Sequence, residues 1–151
     1  MVKARILQKS TFLALVLILL ALSIACHPEP VAPQEARILI IDPAAESVID
    51  TTTITIKTFV ERFNLVDKTG QPNSPGEGHI VYYKDVTPPL VEGQSALTAE
   101  GSYIISMESS ETWNNLQPGK HTFWVQLVNN DNTPLLPPAA VRVYVTVKEQ
   151  P

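Results

Sequence analysis

The sequence predicts an all-β domain, an antiparallel two-sheet sandwich of about seven strands behind a cleaved signal helix. Residues 37–150 carry β-branched and aromatic runs punctuated by Pro, Gly and Asn. The last two runs alternate apolar and polar residues with the two-residue period of half-buried strands. No amphipathic helix stands out in that region.

Taken in order, Arg37 to Ile41 reads as a first strand, closed by Pro43. Thr51 to Val66 reads as a long second strand. Its apolar positions Ile54 and Ile56 are even while Phe59, Phe63 and Leu65 are odd, so a bulge or bend is expected near Thr58. After the break from Gly70 to Gly78, His79 to Val86 forms a third strand. Tyr103 to Met107 and the region around Trp113 read as short strands. In the last two, His121, Phe123, Val125 and Leu127 share one side, as do Val141, Val143, Val145 and Val147, with Arg142, Tyr144, Thr146 and Lys148 facing the other way. About seven strands with regularly spaced turn signals suit an immunoglobulin-like or fibronectin-like sandwich rather than a closed barrel.

Residues 1–25 have the parts of an export signal: Lys3, Arg5 and Lys9, then the apolar run Phe12 to Ile24, then small Ala25. Thirteen residues, Ser23 among them, fall short of the roughly 20 apolar residues needed to span a bilayer. The run ends on Leu22-Ser23-Ile24-Ala25-Cys26, and Cys26 is the only cysteine. A cysteine directly after a small residue at the end of a signal core is expected to be acylated. Acylated Cys26 leaves no thiol for disulfides, nucleophilic catalysis or metal ligation. Residues 26–36, with Pro28, Pro30 and Pro33, read as an extended spacer.

Cleavage would remove three bases and no acid, leaving eight bases against fifteen acids and a net charge of −7. Such a chain has no electrostatic footprint for nucleic acid. The expected location is the cell envelope, with the membrane as partner through the lipid.

The run Leu116-Gln117-Pro118-Gly119-Lys120-His121 resembles the corner before the sixth strand of immunoglobulin-like domains, where a tyrosine commonly bonds the backbone. His121 takes that place and is expected to bond a nearby carbonyl. Phe63 to Val66, Gly76 to Asp85, Pro118 to Thr122 and Val128 to Leu135 together resemble an uncharacterised family of secreted prokaryotic domains. Members typically read Gly-His-x-His-x-x-x-Asp in the block around His79 and Asn-Asp-His-x-Pro-Leu in the last block. Val81 and Asn132 stand here where two of those histidines would be. The resemblance implies a shared fold and no known activity.

His79 and His121 lie on adjacent expected strands and are candidate copper or zinc ligands, with Met107 as a soft third. Two histidines fall short of the three or four protein ligands zinc takes. The loop Asn129 to Thr133 offers oxygens of the kind calcium prefers, with Asp131 its only charge, although Asn and Asp clusters more often make tight turns. Trp124 and Tyr144, on the outward parity of their strands, and Tyr82 and Tyr83 are candidates for a face that binds a protein or glycan. The competing expectation is that a loop such as Pro134 to Pro138 covers them. No nucleophile elbow, zinc-protease motif or phosphate-cradling loop is present. The sequence therefore reads as a non-catalytic, lipid-anchored binding or scaffolding module without a cofactor. A metal-handling protein using His79 and His121 is the alternative.

Overall fold

The computed structural model describes residues 35–149, so the leader, Cys26 and most of the proline spacer lie outside the described residues. Nine strands and no helix occur among them: β1 (Arg37–Asp42), β2 (Ser47–Ile49), β3 (Ile54–Glu61), β4 (Asn64–Leu65), β5 (Glu77–Lys84), β6 (Tyr103–Ser106), β7 (Ser110–Trp113), β8 (Gly119–Val128) and β9 (Ala140–Val147). One sheet has the order β1-β3-β7. The other runs β2-β9-β8-β5, with β4 along the start of β5 and β6 along its end. The β2–β9 and β4–β5 pairs are parallel and every other pair is antiparallel.

The two sheets close on one apolar layer. Ile38, Ile54, Ile56 and Trp113 enter it from the smaller sheet, and Ile80, Tyr82, Phe123, Val125, Leu127, Val143, Val145 and Val147 from the larger. The expected alternation of β8 and β9 holds, because Phe123, Val125 and Leu127 point inward with the four odd-numbered valines. His121 ends that row, its ring 6.3 Å from the Phe123 ring.

The long second strand divides. Ile54, Ile56, Thr58 and Val60 all turn inward, so the period runs unbroken through Thr58 and Phe59 faces out. The change of side comes at Arg62, whose φ of 57° turns the chain out of β3. After it Phe63 and Leu65 pack on the core, and β4 joins the opposite sheet. The bulge lies instead on β1, where the register slips between Ile40 and Asp42 opposite Lys57 and Thr58.

Two features crowd the larger sheet. Gly78 leaves no room for a side chain: a Cβ there would run into the Val128 carbonyl and come within 2.9 Å of Phe63 Cζ. Strand β5 is buried on both faces through Tyr83. Its inner face meets the core, and its outer face supports a second cluster of Val81, Tyr83, Ala96 and Val128 with Leu97, Tyr103, Ile105 and Trp124 around them.

Candidate functional site

That second cluster decides which part of the larger sheet meets solvent. Tyr83 pairs with Trp124, and Val81 with the fully buried Gln126. Over them lies the loop between β5 and β6. Gln126 Nε2 donates to Pro89 O (3.1 Å), and Tyr83 Oη stands 2.9 Å from both Ala96 O and Gln126 Oε1. The one hydroxyl proton serves one of those acceptors at a time. Desolvation, the largest cause, pushes the Tyr83 phenol far above its ordinary value. Tyr82 is equally buried on the opposite face, and its hydroxyl donates to Glu108 O at 3.0 Å. Neither tyrosine belongs to an exposed face, which corrects the sequence expectation for this pair. The loop that does the covering is 86–101, not 134–138.

The β8–β9 half of the same outer face stays open. Antiparallel register sets Trp124 opposite Arg142, Thr122 opposite Tyr144 and Lys120 opposite Thr146. The Arg142 guanidinium carbon lies 5.2 Å from the Trp124 ring centroid and 5.2 Å from that of Tyr144. Lys120 Nζ lies 4.5 Å from the Tyr144 ring and 3.2 Å from Glu46 Oε2. Cations and rings therefore alternate along the strand pair as Trp124, Arg142, Tyr144, Lys120. Each exposed cation–ring contact contributes about 0.5–1 kcal/mol. Lys120 has its carboxylate, whereas Arg142 makes no salt bridge among the described residues. Its fork of donors lies within 5.2 Å of two ring centroids and remains available to an anion. Sequence parity located Trp124 and Tyr144; Arg142, on the same parity, is the member it passed over.

The two histidines do not share a site. His79 pairs with Val128, and His121 lies seven residues back along β8, about 23 Å at the strand rise. His79 is fully buried, with Nε2 3.0 Å from Asn132 Oδ1. Donation to that oxygen puts the proton on Nε2 and leaves Nδ1 without a protein partner. Burial, opposed by the Asn132 contact and Asp67, holds its pKa below the ordinary value. His121 bonds a nearby carbonyl, as expected: Nε2 lies 2.8 Å from Gln117 O, and Nδ1 lies 2.7 Å from Asp85 Oδ2. Burial opposes its charge, but the Gln117 carbonyl and Asp85 carboxylate outweigh it and raise the pKa. Both ring nitrogens face acceptors, so the imidazolium is the satisfied form.

Asp131 acts as a turn staple. Its Oδ1 accepts from Thr133 N (3.0 Å) and from Thr133 Oγ1 (2.6 Å), and Asn73 Oδ1 accepts from Asp131 N at 3.0 Å. Desolvation opposes ionisation there, and the Thr133 bonds overcome it to lower the pKa. Behind it, Glu77 Oε1 joins Lys68 Nζ (2.7 Å) to Asn130 Nδ2 (3.1 Å). The Lys68 bond is the main reason the Glu77 pKa is lowered. Met107 is half-buried just after β6. Among the described residues no three His, Cys, Asp or Glu side chains converge on one point.

No family model matches the sequence, and no curated protein matches it. A search of solved structures returns the crystal structure of an engineered protein, 11% identical, with a TM-score of 0.42 over 78% of this chain and 21% of that one. The chain thus spans about a fifth of that protein's length.

Proposed function

We propose that the protein is a lipid-anchored, non-catalytic binding module of immunoglobulin-like fold, tethered at Cys26 outside the cytoplasm, which engages an acidic protein surface through Trp124, Arg142, Tyr144 and Lys120. The strand order supports the fold: with β1, β3 and β7 as strands A, B and E, and β5, β8 and β9 as C, F and G, the sheets divide as they do in such domains. The His121 to Gln117 bond, at the start of β8, supports it too, since a tyrosine-corner side chain likewise bonds backbone a few residues upstream.

One observation carries the binding assignment. In a chain of net acidic charge, a guanidinium without a carboxylate partner is held between two partly exposed rings on an uncovered sheet face. Trp, Tyr and Arg dominate interface energetics because they combine large contact area with oriented donors. The location of Arg142 between rings orders its fork before a partner arrives, which lowers the entropy lost on binding. The metal-handling alternative has no comparable support, with His79 paired to Val128 and His121 seven residues back along β8.

Affinity capture from envelope extracts with the full chain tests this reading. A protein retained by wild type should be released by Arg142→Glu and by Tyr144→Ala, with affinity losses of about 10-fold or more. Retention indifferent to Arg142→Glu would contradict it.

A further inference from the structure

The opposite outer face of the sandwich has a different character. On the β1-β3-β7 sheet, Leu39 and Phe59 are directly paired and stand 51% and 50% exposed. Ile41, the residue at the β1 bulge, is 63% exposed beside them. These are three of the larger exposed apolar side chains of the described domain, gathered on one two-strand surface. Arg37 opposite Glu61 borders them at one end, and Asp42 bonded to Lys57 (3.3 Å) at the other. Thr55 and Thr112, joined by a 2.8 Å hydroxyl contact, continue the face toward β7. Two cations and two anions leave this surface neutral in a chain whose cleaved form has a charge of −7.

We propose that this face rests on the membrane, with Leu39, Ile41 and Phe59 entering the headgroup region and the Trp124–Arg142 face turned away toward the partner. The inference rests on acylation of Cys26 as read above. Only residues 27–34 separate that cysteine from Glu35, and β1 begins two residues later. At about 3.1 Å per extended residue the spacer reaches roughly 25 Å, so β1 enters the domain within reach of the bilayer.

Three side chains are a weak membrane anchor by themselves. Tethering changes that, because a short linker supplies an effective concentration on the order of millimolar. Apolar side chains at the acyl boundary then need only modest partitioning to stay in place. A second copy is the less suitable occupant, since the tether already holds the face beside lipid whereas a second copy has to be recruited. The balanced pairs that border this face give anionic headgroups no net charge to oppose.

The test uses the full chain, produced with its leader in bacteria and reconstituted into vesicles containing brominated phosphatidylcholine. Phe59→Trp places a reporter on the face, and Val48→Trp places one at a 58% exposed position on the other sheet. Relative to wild-type emission, the signal added by Phe59→Trp should shift to the blue and be quenched at least twofold more than that added by Val48→Trp. Equal quenching of the two, or none, in a chain that still sediments with vesicles through Cys26 would overturn the orientation while leaving the anchor standing. Wild type that sediments no better than Cys26→Ala would overturn the anchor and the orientation with it. A blue shift that needs no lipid and grows with protein concentration would assign the face to a second copy and equally overturn the proposal. Matching thermal melts of the two variants and wild type confirm that the reporters report on one fold.

Discussion

Gly78→Ala tests how closely β4, β5 and β8 are joined. The added Cβ would meet the Val128 carbonyl well inside van der Waals contact, and Phe63 Cζ at 2.9 Å. The Phe63 ring can move, but the Val128 carbonyl belongs to the β5–β8 ladder and to neighbouring backbone. Overpacking ordinarily costs about 1–3 kcal/mol, and an obstacle made of backbone places this site near 3 kcal/mol. A domain of this size, with a urea m-value of about 1–3 kcal/mol/M, would then lose about 1–3 M in midpoint. The melting temperature would fall by roughly 10 °C. The assay is equilibrium urea unfolding of residues 26–151 carrying Cys26→Ser, followed by far-ultraviolet circular dichroism. Phe63→Leu in the same chain should not restore the loss, because the carbonyl remains. A midpoint within about 0.2 M of the parent would refute the crowding at this junction.

Other substitutions read other parts of the account. Phe123→Ala empties the centre of the inter-sheet layer and should destabilise by about 3–5 kcal/mol in the same unfolding assay; a loss under about 1 kcal/mol would contradict its burial. Gln126→Leu strips the Pro89 carbonyl of its donor. It should cost about 1–3 kcal/mol and speed amide exchange in residues 86–101 before the core strands respond. Because the His121 pKa is raised in the fold, the stability it contributes is complete below its ordinary value and fades as pH rises through the raised one. The deficit of His121→Gln should therefore be larger at about pH 5.5 than at about pH 9. His79 has the opposite sign: its lowered pKa makes protonation of the unfolded chain destabilise the fold as pH falls below the ordinary value. His79→Leu should flatten that acid-side loss, as measured by urea midpoints across the same range.

Much of the architecture was legible because a two-residue period leaves a plain mark. The β8 and β9 faces could be written down from Phe123, Val125 and Leu127 against Val141, Val143, Val145 and Val147, and the structure buries that set. The long second segment misleads at Thr58 because Phe59 is apolar and reads as an inward position. It is an exposed residue on the outer face, and the true break is the left-handed Arg62. β2 leaves no mark in the sequence and β4 merges with the segment before it, because strands of three and two residues are too short to show a period. The burial of Tyr83 had a readable signal in the unbroken apolar run Ile80 to Tyr83, which marks a strand covered on both sides. Nothing in the local pattern of residues 86–101 says that they form the cover, since that depends on long-range bonds to Gln126 and Asn132. Trp124 and Tyr144 were found by parity alone, while the role of Arg142 depends on the register that sets it opposite Trp124 and beside Tyr144.

The proposed anchor at Cys26 underlies both the binding and the orientation proposals, and metabolic labelling of the full chain with palmitate addresses it most directly. The account predicts label in wild type, on a polypeptide shortened by the leader, and none in Cys26→Ala. An unlabelled wild-type chain that stays full length in the soluble cell fraction would contradict it.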